Sequence, residues 1–349
     1  APVAAATGLP VVPVGADVDV PALVRGYADG AAASAPAASV PAAEPGGRRA
    51  PRALAMVLAL AEAMAPELLV YARRFRPDLV VFETTSWAGP VVAGALGVPS
   101  TRFLYGVDLL YAARDLAAGL LEPLTAQLGA PAARVLGDLV LDPAPEGLRL
   151  PVGYQAEPVR YVPYNGAGAD IIPPLPPRGT RPRVCVTWGT TMSKLGPERF
   201  LAAEAGRAVG TDAEIVYAVS TAQASRLGPL PPGATVLRDV PLHLLLDSCD
   251  AVVHHGGAGT MLTALTAGLP QVLVPQLPDH ATHARLLAAS GAGLVRTVEE
   301  ARSGALREAA GTLLGSPAHG AAARRLRGEM DAHRSPAELV PVLEKLAGK

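Results

Sequence analysis

Cysteine is nearly absent: the 349-residue chain carries two, Cys185 and Cys249. That excludes a secreted scaffold held together by disulfides, and neither cysteine has companions at metal-binding spacing. Cys185 lies in an apolar run and reads as a small core hydrophobe. Aromatic residues make up only 4% of the chain. Lysine stands at three positions, Lys194, Lys345 and Lys349, so arginine supplies nearly all the positive charge. With abundant Ala, Gly and Pro, this bias reads as coding composition, and alanine runs become poor guides to helices. Neither sign of charge dominates: 30 basic and 31 acidic residues leave a formal net charge of −1. A broad electrostatic footprint for nucleic acid or a membrane surface is thereby excluded. The sequence holds no uninterrupted apolar stretch of about 18 residues, and no basic start with an apolar core and cleavage site opens it. A soluble, cytoplasmic protein is expected.

Half of the residues are apolar, and the length suits two α/β domains. The first, 1–164, opens on helix-like Ala spacing and a short strand at Leu9–Val14, followed by an Ala/Pro/Gly/Ser-rich loop at 30–51 that lacks the large apolar residues needed to pack. A helix over Ala53–Arg76, a strand Leu79–Phe82, a helix Ala88–Leu96 closed by Gly97, a strand Ser100–Tyr105, mixed helices over 108–140 and a strand Val159–Tyr164 follow. The segment 165–182 is rich in Pro and Gly and reads as a linker. From 183 to 332 strands alternate with helices: Arg183–Trp188, Glu214–Val219, Thr235–Arg238, Ala251–His254, Gln271–Val274 and Gly293–Val295. That alternation predicts a parallel, doubly wound sheet with its ligand at the carboxyl ends of the strands. A terminal helix within 333–349 is expected to pack back on the first domain.

The run Asp250-Ala-Val-Val-His-His-Gly-Gly-Ala-Gly-Thr-Met is the most informative segment. An apolar strand enters a Gly-rich turn and then an amphipathic helix. The first N–H groups of a helix lack internal partners and carry partial positive charge, which suits a phosphate. Gly257 and Gly259 allow close approach to the main chain, while Thr260 and His255 add side-chain donors. The bland alternative is a structural tight turn. A dinucleotide fingerprint is disfavoured, because Gly257-Ala-Gly259-Thr-Met-Leu262 lacks its third small residue and lies late in the chain. Pro275-Gln-Leu-Pro-Asp279-His280 follows the next strand; its carboxylate suits sugar hydroxyls, and Asp279 also fits the N-cap of the following helix. His280 and His283 have helical metal-binding spacing but no third ligand. Asp17-Val18-Asp19 matches a common Asp-x-Asp triplet and reads as a solvated pair.

On these residues the sequence resembles the GT-B fold glycosyltransferases that decorate bacterial polyketide and enediyne natural products, such as those of the spinosyn and calicheamicin pathways. The matching segments are Val184–Gly189, Asp239-Val-Pro-Leu242, Val252–Thr260, Ala267-Gly-Leu-Pro-Gln271, Pro275–Asp279, Ala284–Gly293 and, just before the linker, Val159–Gly166, while residues 9–160 match loosely. The resemblance implies two Rossmann-like domains facing a cleft. It implies a deoxysugar donor activated by dTDP (UDP being the alternative), an apolar small-molecule acceptor, and inversion without metal or cofactor. His255, Gly257, Gly259 and Thr260 would hold the diphosphate. Val240 and Leu242 would meet the base, Gly189 and Thr190 would face the nucleotide, and Asp279 with His280 would touch the sugar, where the family more often has Asp-Gln. The family's acceptor-activating histidine belongs to an initial strand–loop–helix unit that this sequence lacks, so a preceding segment is expected. Glu83 is the expected carboxylate partner of that base, and Asp108 is a further acceptor-side candidate. A GT-B nucleotide-sugar epimerase and a non-catalytic donor-binding partner are the rival readings, and a homodimer is left open.

Overall fold

The computed structural model describes residues 7–19, 23, 52–164, 175, 177–189, 192, 196–210 and 212–349. The loop at 30–51, most of the linker and Thr190 lie outside the described residues. The chain forms two parallel sheets. In the first domain the order of elements is α1 (Arg52–Phe75), β1 (Val80–Glu83), α2 (Ala88–Leu96), β2 (Ser100–Phe103), α3 (Arg114–Gln127), β3 (Leu139–Asp142) and β4 (Ala156–Pro158). The strands lie side by side in sequence order, β1-β2-β3-β4. Along α1 the residues Leu54, Val57, Ala61, Ala65, Leu69 and Ala72 recur every three or four positions and are buried against Trp87, Val91 and Val92 around α2, as a one-sided helix requires. Gly97 closes α2 in the left-handed region (φ 69°), its N–H donating to Ala93 and Gly94.

The second domain contains β5 (Arg183–Val186), α4 (Ala202–Val209), β6 (Glu214–Val219), α5 (Thr221–Ala224), β7 (Thr235–Arg238), α6 (Leu242–Leu246), β8 (Ala251–His254), α7 (Ala258–Thr266), β9 (Gln271–Leu273), α8 (Pro278–Ala289) and β10 (Gly293–Val295). After these come α9 (Ala305–Gly315), α10 (Pro317–Asp331) and α11 (Val340–Leu346). The sheet order is β10-β9-β8-β5-β6-β7, the doubly wound arrangement expected for this half. Its central strands are apolar on both faces, with Val184, Cys185, Val186, Val252 and Val253 fully buried, because helices cover both sides of a parallel sheet. The chain end returns to the first sheet: Leu339 packs with Leu141 and Val159, and Lys349 pairs with Asp78 at 3.2 Å.

Several local expectations are corrected. Leu9–Val14 joins no ladder; Pro10 and Pro13 remove the N–H groups a strand would donate. Val159–Tyr164 contributes one isolated bridge, Val159 to Arg334, and the pairing strand is β4 just before it. Residues 108–140 hold one strand's start as well as helix, since β3 begins at Leu139. Asp279 lies in the first turn of α8 behind Pro278, and Leu277 is the N-cap. Ala53–Phe75, within α1, is long and apolar enough to cross a membrane by length and composition. Glu62, Glu67, Arg73 and Arg74 interrupt its apolar run, and one of its faces packs on α2.

Candidate functional site

Strands β5 and β8 are neighbours, Val186 standing opposite Val253, yet β6, β7 and their helices separate them in sequence. Here the winding of the sheet reverses, so the loops leaving the two strands diverge and open a crevice. On the β5 side, Trp188 is fully buried and its indole N–H donates to the Arg199 carbonyl at 2.9 Å. Gly189 follows with φ +59°, and its carbonyl accepts the Gln223 amide at 2.5 Å.

On the β8 side come His254, His255, Gly256 and Gly257, then α7. His254 is fully buried. Its Nδ1 accepts the Gly256 N–H at 3.1 Å, which leaves the proton on Nε2 to be donated to Gln271 Oε1 at 2.8 Å. The Gln271 amide in turn donates to the Met261 carbonyl at 3.2 Å. His283, on α8, donates Nδ1–H to the Gly256 carbonyl at 3.0 Å. Both peptide groups of Gly256 are therefore held, and its φ of +93° fits a residue without Cβ.

His255 is packed differently. A Cβ at Gly189 would stand 2.5 Å from its Cε1, and one at Gly257 2.5 Å from its Nε2, so two glycines make room for one imidazole. Its ring meets His280 edge to face at 4.8 Å between centroids, and its Nδ1 is buried without a partner. Burial, then the neighbouring imidazoles, push its pKa well down. Burial also lowers His254 to about 3 and depresses His280 and His283. All four rings are neutral near pH 7 before any anion arrives.

In α7 the first intrahelical bond beyond the cap is Met261 N–H to the Gly257 carbonyl, 3.0 Å. The N–H groups of Ala258, Gly259 and Thr260 thus carry the positive end of the helix into the crevice. Tyr161, from the first domain, donates its hydroxyl to the Gly259 carbonyl at 3.2 Å. Gly106, after β2, comes so close that a Cβ there would lie 2.7 Å from that of Ala258.

Other expected residues fall on either side of this crevice. Asp279 Oδ2 is 3.8 Å from His280 Nε2, and Asp279 Oδ1 and His280 Nδ1 have no partner. Val240 and Leu242 pack partly buried around Leu245 and Leu246. Asp239, with φ +53°, accepts the Thr221 N–H at 3.1 Å and its hydroxyl. On the first domain, the Glu83 carboxylate accepts the Thr85 N–H at 2.9 Å, the Thr85 hydroxyl, and the Ser86 hydroxyl at 3.2 Å. Asp108 is buried in an ion pair with Arg102 and accepts the Tyr154 hydroxyl at 2.5 Å; its charge is spent within the first domain. Tyr105, about half exposed, is raised to about 12 by partial desolvation and then by the charges of Asp279, Glu83 and Asp108, so its phenol stays protonated. His280 and His283 gain no third ligand: among the described residues no group of three metal-binding side chains occurs.

Sequence reasoning missed Gln223, Gln271 and Tyr161. Gln271 carried a signal, a lone amide opening an otherwise apolar strand. Nothing local marks Gln223 or Tyr161, whose partners lie 34 and 98 residues away.

Two α/β domains, with a phosphate-type helix terminus at the switch point of the second, define a GT-B glycosyltransferase architecture. The N-terminal domain profile of the family described as Erythromycin biosynthesis protein CIII-like matches residues 1–189, and the C-terminal domain profile matches 203–346. The chain is 36% identical over 310 residues to 3-alpha-mycarosylerythronolide B desosaminyl transferase of Saccharopolyspora erythraea, covering 81% of this chain and 73% of that protein. It is 33% identical over 384 residues to aklavinone 7-beta-L-rhodosaminyltransferase of Streptomyces galilaeus, covering 99% and 86%. The solved spinosyn rhamnosyltransferase complexed with thymidine diphosphate superposes with a TM-score of 0.76 at 32% identity, covering 84% of this chain and 80% of that one. The chain belongs to the Erythromycin biosynthesis protein CIII-like family of glycosyltransferases. The relatives named are transferases, and the epimerase reading finds no support among them.

Proposed function

We propose that the protein moves a deoxysugar from a dTDP-sugar to a hydroxyl of a polyketide-type natural product, with inversion and without metal or cofactor. The observation that carries this is the crevice at β5/β8, where a helix N-terminus and a buried, partnerless imidazole face one another. The desosaminyl and rhodosaminyl transferases and the thymidine-diphosphate complex among its relatives support the sugar and nucleotide classes. We assign the protein to the cytoplasm.

In this reading the acceptor hydroxyl loses its proton to a general base, with Glu83 as that base's carboxylate partner. The oxygen attacks the anomeric carbon as the bond from that carbon to the diphosphate oxygen breaks. The departing diphosphate gathers negative charge, which the N–H groups of Ala258, Gly259 and Thr260 and the His255 imidazole stabilise. Gly189 and Gly257 shape the His255 pocket, Val240 and Leu242 flank the base, and Asp279 with His280 holds the sugar.

Calorimetric titration with dTDP tests the donor site. We expect wild-type binding, and a loss of about 1–3 kcal/mol in His255→Ala. Wild-type protein that ignores dTDP would sink the reading. Binding without transfer to any polyketide acceptor would leave only the non-catalytic alternative.

A further inference from the structure

Among the described residues, twelve buried side-chain nitrogen or oxygen atoms have no hydrogen-bond partner. Six of them belong to His255, Gln276, Asp279, His280 and His283, and so to the loops after β8 and β9 and the start of α8. Buried polar groups in folded proteins are ordinarily paired, and a concentration of unpaired ones marks a place shaped for something else. Gln276 is the residue in this group with no role so far. Both its amide nitrogen and its amide oxygen are shut off from solvent and unpartnered.

Its position says what it could meet. The pairing of β9 with β8 extends one residue further, through the Val274 N–H to the His254 carbonyl at 2.8 Å. Gln276 therefore leaves the sheet next to the His254–Gly257 turn, three residues before Asp279. Its chemistry narrows the choice. A phosphate only accepts hydrogen bonds and would satisfy the NH2 while leaving the carbonyl bare. A hydroxyl accepts and donates, and so satisfies both ends of the amide.

We propose that Gln276 is a sugar-reading residue of the donor site, its amide taking a hydroxyl of the transferred sugar beside Asp279. The proposal rests on the donor-site reading above but is separable from it. The amide contributes nothing to binding of the nucleotide alone, and the free protein carries it at a cost in stability.

The test compares full-length wild type with Gln276→Met, which keeps length and volume but removes both polar atoms. Affinities for dTDP and for dTDP-glucose are measured by calorimetry, and the melting temperature without ligand is recorded. We expect dTDP affinity within twofold of wild type, dTDP-glucose weakened about tenfold, and a melting temperature no lower than wild type. Equal weakening of both ligands, or unchanged dTDP-glucose binding, overturns the proposal; the latter result means that a buried water satisfies the amide. If Gln276→Met folds poorly, Gln276→Glu, of nearly the same shape, decides by the same comparison: a loss confined to dTDP-glucose upholds the proposal, and equal losses overturn it. Failure of wild type to bind dTDP would instead refute the donor-site reading.

Discussion

Replacing Gly257 by alanine isolates the packing of His255 from every other property of the turn. The backbone there has φ −64° and ψ 141°, which alanine adopts without strain. The new Cβ would nevertheless stand 2.5 Å from His255 Nε2 and 3.2 Å from Cε1. The imidazole has little room to yield, since Gly189 lies against its other side and His280 meets it edge to face. Overpacking of this kind costs about 1–3 kcal/mol. The ring must shift, so dTDP affinity should fall by roughly fivefold to a hundredfold, with chemical unfolding showing a loss of stability of the same order. Gly259→Ala is the contrasting variant. Its Cβ would meet only the Tyr161 hydroxyl at 3.8 Å, and alanine within a helix turn is favoured over glycine by up to about 1 kcal/mol. That variant should be as stable as wild type or more so, yet bind dTDP less well, because the methyl occupies the path of a phosphate to the main chain. Calorimetry and urea titration on the two variants read both quantities. If Gly257→Ala binds dTDP and unfolds like wild type, His255 is not held between the two glycines as described and the reasoning fails.

Two further outcomes follow from the same site. The unfolded chain protonates its histidines near pH 6.5, whereas burial pushes His254 to about 3 and lowers His255, His280 and His283. Stability is therefore fully present above pH 6.5 and lost as pH falls towards the folded-state values, by roughly 1 kcal/mol per pH unit for each such histidine. Saturating dTDP should blunt that loss, since its charge favours imidazolium; a melting temperature that is flat from pH 7.5 to 5 contradicts the burial of the cluster. For Glu83→Gln, the proposed role predicts turnover at least tenfold lower with dTDP affinity unchanged, because the carboxylate ends a strand of the first domain, whereas the β8–α7 turn belongs to the second; full turnover would confine Glu83 to holding Thr85 and Ser86.

The crevice is built by an economy of contacts between distant segments. His283 and His254 clamp Gly256 from opposite sides, and Gln271 fixes the tautomer of His254. The first domain reaches the same turn through Gly106 and Tyr161. Motion between the domains would break the Tyr161 contact to Gly259, which ties the first domain to the start of α7.

The alternation of apolar strands and amphipathic helices after residue 183 was legible in the sequence, because burial of a parallel strand on both faces leaves a continuous Val/Ile/Leu signature. The strand–turn–helix junction at His254–Thr260 was legible for a related reason: its glycines interrupt the apolar run between β8 and α7. Asp108 shows the limit. Its sequence offered a cleft carboxylate, but Arg102 and Tyr154, brought to it across β2 and the β3–β4 connection, absorb its charge. The edges of the first domain were read less well, since Leu9–Val14 has a strand's apolar content without a strand to pair with, and pairing is a property of the neighbour. The sequence by itself determined the doubly wound second half and the Gly-rich junction between β8 and α7, both written in short local patterns. Only the tertiary structure decided that His255 lies between glycines from the loops after two separate strands, that four histidines share one buried cluster, and that both amide atoms of Gln276 and one carboxylate oxygen of Asp279 face no partner. Those facts depend on strand order, and the order β9-β8-β5 places side by side loops that the chain visits more than sixty residues apart.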